Sequence, residues 1–260
     1  MNFYKKKHPY SKAFYFAQTR SASLAASKYA NIIKSYYHPT SVIDFGCGHG
    51  SWLKSFDESF SVSELVGVDG SWNSSENMPD EKIRFIPLDL ASSNVLPSPK
   101  RFDLAMSVEV AEHLPKASAE SFVDLISSCS DVVVFGAAIT LQGGINHINE
   151  QFPSYWAEIF LARKYYPFDI FRQVVWDDFD IPFWYKQNTF LYVKQNSELF
   201  KYLLTINIYP IENTQFMNAI HPEFYIRRSN PIRSCVDSLA KIIPPSLMLW
   251  LYNSKSRLFS

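Results

Sequence analysis

Three aspartates and a glycine turn are the residues whose types and spacing best support chemistry. "VIDFGCGHGSW", residues 42–52, sets Asp44 two places before the first of three alternating glycines, Gly46, Gly48 and Gly50. "ELVGVDG" closes on Asp69 and "KIRFIPLDL" closes on Asp89 with Leu90 beside it. Each acid ends a short β-rich run. Alternating glycines let the chain turn sharply and let a ligand lie against the main chain. A second group, "GGINHINEQ", holds His147 and Glu150 three residues apart behind Gly143 and Gly144. Histidine suits proton removal near neutral pH, and on a helical segment Glu150 would share its face.

Two ligand classes use a glycine turn at a strand end. A dinucleotide needs its pyrophosphate at a helix N-terminus, over G-x-G-x-x-G. Here that third glycine would fall on Ser51, and Asp44 would repel the pyrophosphate. S-adenosylmethionine carries an ammonium and a sulfonium and no phosphate, so Asp44 attracts it. Asp69 sits where a carboxylate can accept from both ribose hydroxyls, in either ligand class. Asp89 is placed to accept from the adenine amino group. Singly, each acid can equally be a helix cap; their common order favours a binding role. Cys47 and His49, inside the turn, read as fillers.

The elements around these residues set the architecture. "SASLAASKYANIIKSYY" has helical spacing, and "HPTS" ends it. Five β-rich runs follow, in "SVIDF", "ELVGVDG", "KIRFIPLDL", "RFDLAMSVEV" and "DVVVFGAA", with helical "SWLKSF" and "SAESFVDLISSCS" between them. Strands alternating with helices imply a mainly parallel sheet with helices on both faces. "DIFRQVVW" and "NTFLYVKQ" are expected as a closing pair of strands, one antiparallel. The expected class is α/β: a Rossmann-like doubly wound sheet of about seven strands, mostly parallel with an antiparallel closing strand. It is divided into an N-terminal helical cap over 1–39, a core over 40–196 and a C-terminal extension over 197–260.

Composition narrows the function. Formal charge is zero, which gives no electrostatic support for nucleic-acid binding. The 21 Phe, 15 Tyr and 6 Trp imply a bulky core or an aromatic-lined pocket. Cys47, Cys129 and Cys235 are scattered without metal spacing, so no disulfide framework is expected and a reducing, cytoplasmic setting is the default. The basic N-terminus lacks the apolar run of a secretory signal, and no stretch approaches the ~20 apolar residues of a spanning helix. "SLMLWLY" near the C-terminus reads as a buried helix or as a peripheral membrane contact.

The quoted motifs, with "FDLAMSVEVAEHLP", resemble in order and spacing the core of class I S-adenosylmethionine-dependent methyltransferases, over roughly residues 40–140. The resemblance implies that S-adenosyl-L-methionine is the cofactor. It implies that Asp44, Gly46, Gly48 and Gly50 bind its methionine part, that Asp69 holds the ribose and that Asp89 and Leu90 meet the adenine. Glu109 would lie near the cofactor, with Glu112 and His113 supporting the turn. "EVAEHL" resembles the subgroup acting on small molecules, sugars and quinone precursors. "AAITLQGGINHINEQFPSYWAEIF" and "PFWYKQNTFLYV" resemble a subgroup associated with polysaccharide biosynthesis.

The expected reaction is therefore O-methylation of a sugar or glycan intermediate. A general base contributes about 10²–10⁴-fold to such a step. His147 is the candidate base, with Glu150 orienting it or acting itself; the alternative is that His147 and Asn149 cap the next helix, "PSYWAEIF". His147 and Glu150 could be two metal ligands, but spacing supplies no third, so no metal is expected. Tyr155, Trp156, Trp184 and Tyr185, with Gln187, are candidates for the acceptor wall. Alternatives stay open: another small metabolite or a lipid-linked acceptor, a non-catalytic cofactor-binding module of a synthase assembly, or a nicotinamide dehydrogenase.

Overall fold

A computed structural model describes residues 12–229 without Asn94, and for residues 12–20 the backbone only. Cys235 and the "SLMLWLY" stretch lie outside the described residues. Residues 21–221 form one compact unit, which contains the whole sheet. Helix α8 (Pro222–Ser229) belongs to a separate unit and carries an i,i+4 pair between Glu223 and Arg227.

The first five strands are the five expected from the sequence: β1 (Ser41–Phe45), β2 (Glu64–Asp69), β3 (Ile83–Pro87), β4 (Leu104–Val108) and β5 (Val132–Gly136). β6 (Tyr165–Phe168) and β7 (Phe190–Lys194) complete a seven-stranded sheet of order β3-β2-β1-β4-β5-β7-β6. β1 to β5 pair in parallel, and β7 runs antiparallel to both β5 and β6. The strand order reverses between β1 and β4. That switch opens a crevice at their carboxyl ends, where ligands of open α/β sheets bind.

Both faces of the sheet are covered, and the side chains alternate between them. Val42, Leu65, Leu104, Met106, Val132 and Val134 point to one core. Ile43, Phe45, Val66, Val68, Ala105 and Val133 point to the other. A strand buried on both faces reads as a continuous apolar run, which is why β1, β2 and β5 stand out in the sequence. Helix α1 (Lys12–Lys34) covers the first face through Ala25, Ala26, Tyr29, Ala30 and Ile33, residues at helical spacing. Trp52 and Phe56 of α2 (Ser51–Phe60) pack on the same side. α3 (Ala119–Cys129) and α4 (Pro153–Leu161) cover the second face. No described helix is long and apolar enough to cross a membrane.

The closing strands correct one expectation. "NTFLYVKQ" contains β7, but "DIFRQVVW" is not a strand. It holds α5 (Arg172–Val175), whose capping residue Phe171 and last residue Val175 are both buried, four residues apart. That is a helical spacing, not the period of two a strand needs. Asp169 accepts from the Arg172 backbone amide at 3.2 Å and from its Nε at 2.7 Å, favouring the turn. The partner of β7 is β6, "YYPF", which contains Pro167. β6 lies at the sheet edge, where proline costs no ladder bond. α6 (Phe183–Asn188) leads into β7, and α7 (Glu198–Thr205) follows it, capped by Ser197 and packed through Leu199 and Leu203.

Candidate active site

The glycine turn follows β1 at the sheet switch. Gly46, Gly48 and Gly50 have φ of 79°, 53° and 70°, a left-handed region that disfavours side chains. At Gly46 space also decides: a Cβ there would lie 2.3 Å from Cγ2 of Val110. The turn is tied to β2. Val68 O accepts from the Gly46 and Cys47 amides at 2.7 and 3.2 Å. Asp69 accepts from Gly48 N at 2.9 Å through Oδ2 and from Gly70 N at 2.7 Å through Oδ1. Asn73 donates to Gly48 O at 2.5 Å. Asp69 thus shapes the turn, and each of its oxygens keeps a further lone pair for a ligand. Cys47 is buried, and its sulfur would lie 2.7 Å from a Cβ at Gly67. Burial, then Asp44 and Asp69, push its thiol far up, so it is a packing group and not a nucleophile.

Asp44 is 5% exposed and accepts no hydrogen bond from the described residues. Burial, and then Asp69, push its carboxyl up from 3.8 to about 8. A cation placed against it would relieve that cost; a phosphate would increase it. The donor set therefore fits the ammonium of S-adenosylmethionine and not a dinucleotide. Asp89 lies two residues beyond β3, exposed, and accepts from Ala91 N at 3.0 Å and Ser92 Oγ at 2.8 Å. Leu90 is buried with the α3 face of the core. Trp72, which sequence reasoning passed over, lies across Gly70: a Cβ there would be 2.1 Å from its ring.

Glu109 follows β4 at φ 58°. Gln142 Nε2 donates to it at 2.9 Å and Asn188 Nδ2 at 3.2 Å, and Asn188 also donates to Gln142 Oε1 at 2.8 Å. Burial holds the Glu109 carboxyl above its ordinary value against the pull of Asn188, His147 and Gln142. Gln142 and Asn188 were not expected from sequence; they come from the loop after β5 and the end of α6, with no spacing signal.

The loop after β5 folds back over the turn after β4. Glu112 O accepts from Ile148 N at 2.9 Å and Asn149 N at 3.0 Å, which brings His147 onto that turn. Glu150 accepts from Leu141 N at 2.9 Å, Gly143 N at 2.6 Å and His147 Nδ1 at 3.1 Å. Against burial, those bonds from His147, Gly143 and Leu141 hold its carboxyl below the ordinary range. An ionised, fully engaged Glu150 orients the imidazole and is a poor base. Its Oε1 accepts the Nδ1 proton, so Nε2 of His147 is the free nitrogen, 3.9 Å from Glu112 Oε1. Gly144 makes room for that ring: a Cβ there would lie 2.2 Å from His147 Nε2. His113 crosses the same ring edge to face at 4.8 Å. The fold thus supplies what sequence spacing did not, two further ligand-type groups beside His147.

The expected acceptor wall divides. Trp156 is 2% exposed and packs on Phe135 at 5.2 Å, and Tyr185 is buried against Trp52 at 5.7 Å. These two rings are structural, because a ring sealed in the core cannot stack on a sugar. Gln187 is fully buried; it donates to Asn188 and accepts from His221 N. Tyr155 and Trp184 are half-buried. A cavity of about 320 Å³ lined by Tyr37, Arg101, Asp103 and Asp131 lies at the opposite, amino-terminal end of β4 and β5, away from the switch crevice.

Residues 13–135 match the family model described as "Methyltransferase domain". Those residues are thus a methyltransferase domain, with the Rossmann-like fold of the class I S-adenosylmethionine-dependent enzymes. Solved structures show the same fold. The methyltransferase domain of bacterial CtHen1-C is 18% identical, with 67% of this chain and 98% of that chain covered and a TM-score of 0.50. An O-methyltransferase family protein from Burkholderia thailandensis is 11% identical over 72% of this chain and 59% of that one, at 0.52. The pyocyanin biosynthetic protein PhzM is 11% identical over 70% and 58%, at 0.50. No curated protein matches the sequence. A methyltransferase domain implies S-adenosylmethionine as the cofactor, and the chemistry of Asp44 and the glycine turn fits it.

Proposed function

We propose that the enzyme O-methylates a hydroxyl-bearing small acceptor, with a sugar or glycan intermediate of polysaccharide biosynthesis as the leading class. Bound S-adenosylmethionine supplies an electrophilic methyl group; the protein must position, desolvate and manage a proton. Asp44 and the backbone of Gly46, Gly48 and Gly50 hold the methionine end, Asp69 the ribose, and Asp89 with Leu90 the adenine side. Glu109, fixed by Gln142 and Asn188, borders the cofactor. His147 takes the proton of the acceptor hydroxyl at Nε2, with Glu150 fixing the ring through Nδ1 as a positioning residue. Tyr155 and Trp184 remain the candidates for acceptor contact. The free cysteines Cys47 and Cys129 are buried thiols, in keeping with work in the cytoplasm.

The observation that carries this reading is the placement of an oriented imidazole over the turn after β4, beside the strand whose end bears Asp44. A second reading has support from the same loop: Leu141, Ile145, Ile148 and Phe152 are exposed. That apolar rim suits a lipid-linked acceptor or another apolar metabolite. Incubation with labelled S-adenosylmethionine and a panel of nucleotide sugars, phenols and lipid-linked sugars, read by mass spectrometry for the gain of one CH₂, separates the two. Labelling confined to nitrogen or carbon atoms would refute O-methylation.

A further inference from the structure

The geometry points to a binding site for one divalent first-row transition ion, formed by Glu112, His113 and His147 at the mouth of the cofactor crevice. One ligand atom from each of these residues lies within 4.8 Å of the others. Glu112 is 0% exposed, and neither of its oxygens makes a hydrogen bond of good geometry among the described residues; only the backbone amides of Glu112 and Ala138 act on it, weakly. Buried polar groups are almost always paired, and each exception calls for an explanation. Here the unpaired carboxylate faces an imidazole nitrogen, Nε2 of His147 at 3.9 Å.

The two imidazoles are prepared in the way ligands are. His147 Nδ1 donates to Glu150 Oε1 at 3.1 Å. His113 Nδ1 donates to the carbonyl of Asn146 at 3.3 Å, since a carbonyl can only accept. Both rings therefore offer Nε2 as a lone pair. A metal-binding histidine characteristically gives its other N–H to a carboxylate or carbonyl, which fixes tautomer and ring angle. Gly144 completes the arrangement by leaving the space that His147 fills. In a tetrahedral shell, ligand atoms about 2.1 Å from a common ion stand about 3.4 Å apart, so closure asks for an approach of up to about 1.4 Å.

The donor set selects the ion. Two nitrogens and one carboxylate suit zinc, cobalt or manganese, whereas calcium and magnesium favour all-oxygen shells. Three protein ligands leave a coordination position open, the pattern of catalytic sites. The use of that position rests on the O-methylation reading: the acceptor oxygen would occupy it, and the cation would acidify the hydroxyl. His147 is then a ligand in the loaded enzyme, and its role as base passes to the ion.

The full-length protein, stripped with chelator and dialysed, is titrated with Co²⁺ and followed by visible absorption, with Zn²⁺ as competitor. One equivalent is expected, with ligand-field bands that Zn²⁺ abolishes. Glu112→Gln, of equal size, and His113→Ala, at an exposed position, should each weaken binding at least tenfold, while Asp57→Asn, remote from the site, binds as the parent does. No binding by the parent overturns the proposal, as does parental binding by either ligand variant with a native circular-dichroism spectrum. S-adenosylhomocysteine is titrated into the same samples. Its failure to bind would count against the methyl-transfer reading alone, and loss of the Co²⁺ signal against the metal site alone.

Discussion

Asp44→Asn should make the ligand-free enzyme more stable and a poorer binder. The Asp44 carboxyl ionises near 3.8 when unfolded and about 8 in the fold. A carboxyl raised on folding adds no penalty below its unfolded value. The penalty then grows as pH rises and is complete above the folded value. From those two values the cost of carrying Asp44 is about 1.7 kcal/mol at pH 5 and about 4 kcal/mol at pH 7. It levels near 6 kcal/mol above pH 8, at about 1.36 kcal/mol per pH unit between the two values. Asparagine keeps the shape and removes the charge. Denaturant unfolding of parent and variant at pH 5, 7 and 8.5 should therefore show a gap that widens with pH in favour of the variant. Calorimetry with S-adenosylhomocysteine should show the reverse order. Loss of a charge-assisted bond to the ammonium costs about 1.5–3 kcal/mol, roughly 10- to 150-fold. For the parent, binding below pH 8 should release close to one proton, seen as a heat that depends on the buffer; the variant should release none from this site. A variant no more stable than the parent at pH 8.5, or one with parental affinity, would refute the assignment of Asp44 as the buried partner of a cation.

Three other outcomes are expected. Asp69→Ala should weaken S-adenosylhomocysteine binding by at least about 1.5–3 kcal/mol in calorimetry, because the carboxylate also holds the Gly48 and Gly70 amides; unchanged affinity would remove its ribose role. Gly144→Ala should lower kcat by displacing the His147 ring, with cofactor affinity and melting temperature near parental values; parental turnover would show that the ring position is irrelevant. Trp156→Ala should cost about 3–5 kcal/mol of stability in denaturant unfolding, while Trp156→Phe should preserve KM for the acceptor; a raised KM in a stably folded Trp156→Phe would restore that ring to the acceptor wall.

The parallel half of the fold was legible because doubly buried strands leave apolar runs with an aspartate at or beside their ends, as in "SVIDF" and "ELVGVD". The antiparallel end was less so. Pro167 disguised β6, and the alternation in "DIFRQVVW" mixed a helical spacing with β-branched residues that favour strands. The glycine turn could be read from local spacing, since its glycines and Asp44 lie within seven residues of one another. The cluster at the crevice mouth could not. Glu112 and His113 precede His147 by more than thirty residues, and only the return of the β5 loop makes them neighbours. A usable signal was nonetheless present: a second acid and a histidine follow Glu109 within one turn. Trp156 is buried in the core, and the sequence leaves that open because an aromatic pair at a helix start looks alike whether it faces a pocket or a core.

The clasp between the carbonyl of Glu112 and the amides of Ile148 and Asn149 uses main-chain atoms alone. It therefore does not depend on the exposed side chains of Leu141, Ile145, Ile148 and Phe152, whereas Glu150 and Gln142 in the same segment hold their places through side-chain bonds. On the reading that these four side chains meet the acceptor, lineages or designers can rewrite them while the loop still lands on the same spot. On that reading substrate choice and chemical machinery are uncoupled, and one scaffold can be retuned without rebuilding its reactive corner.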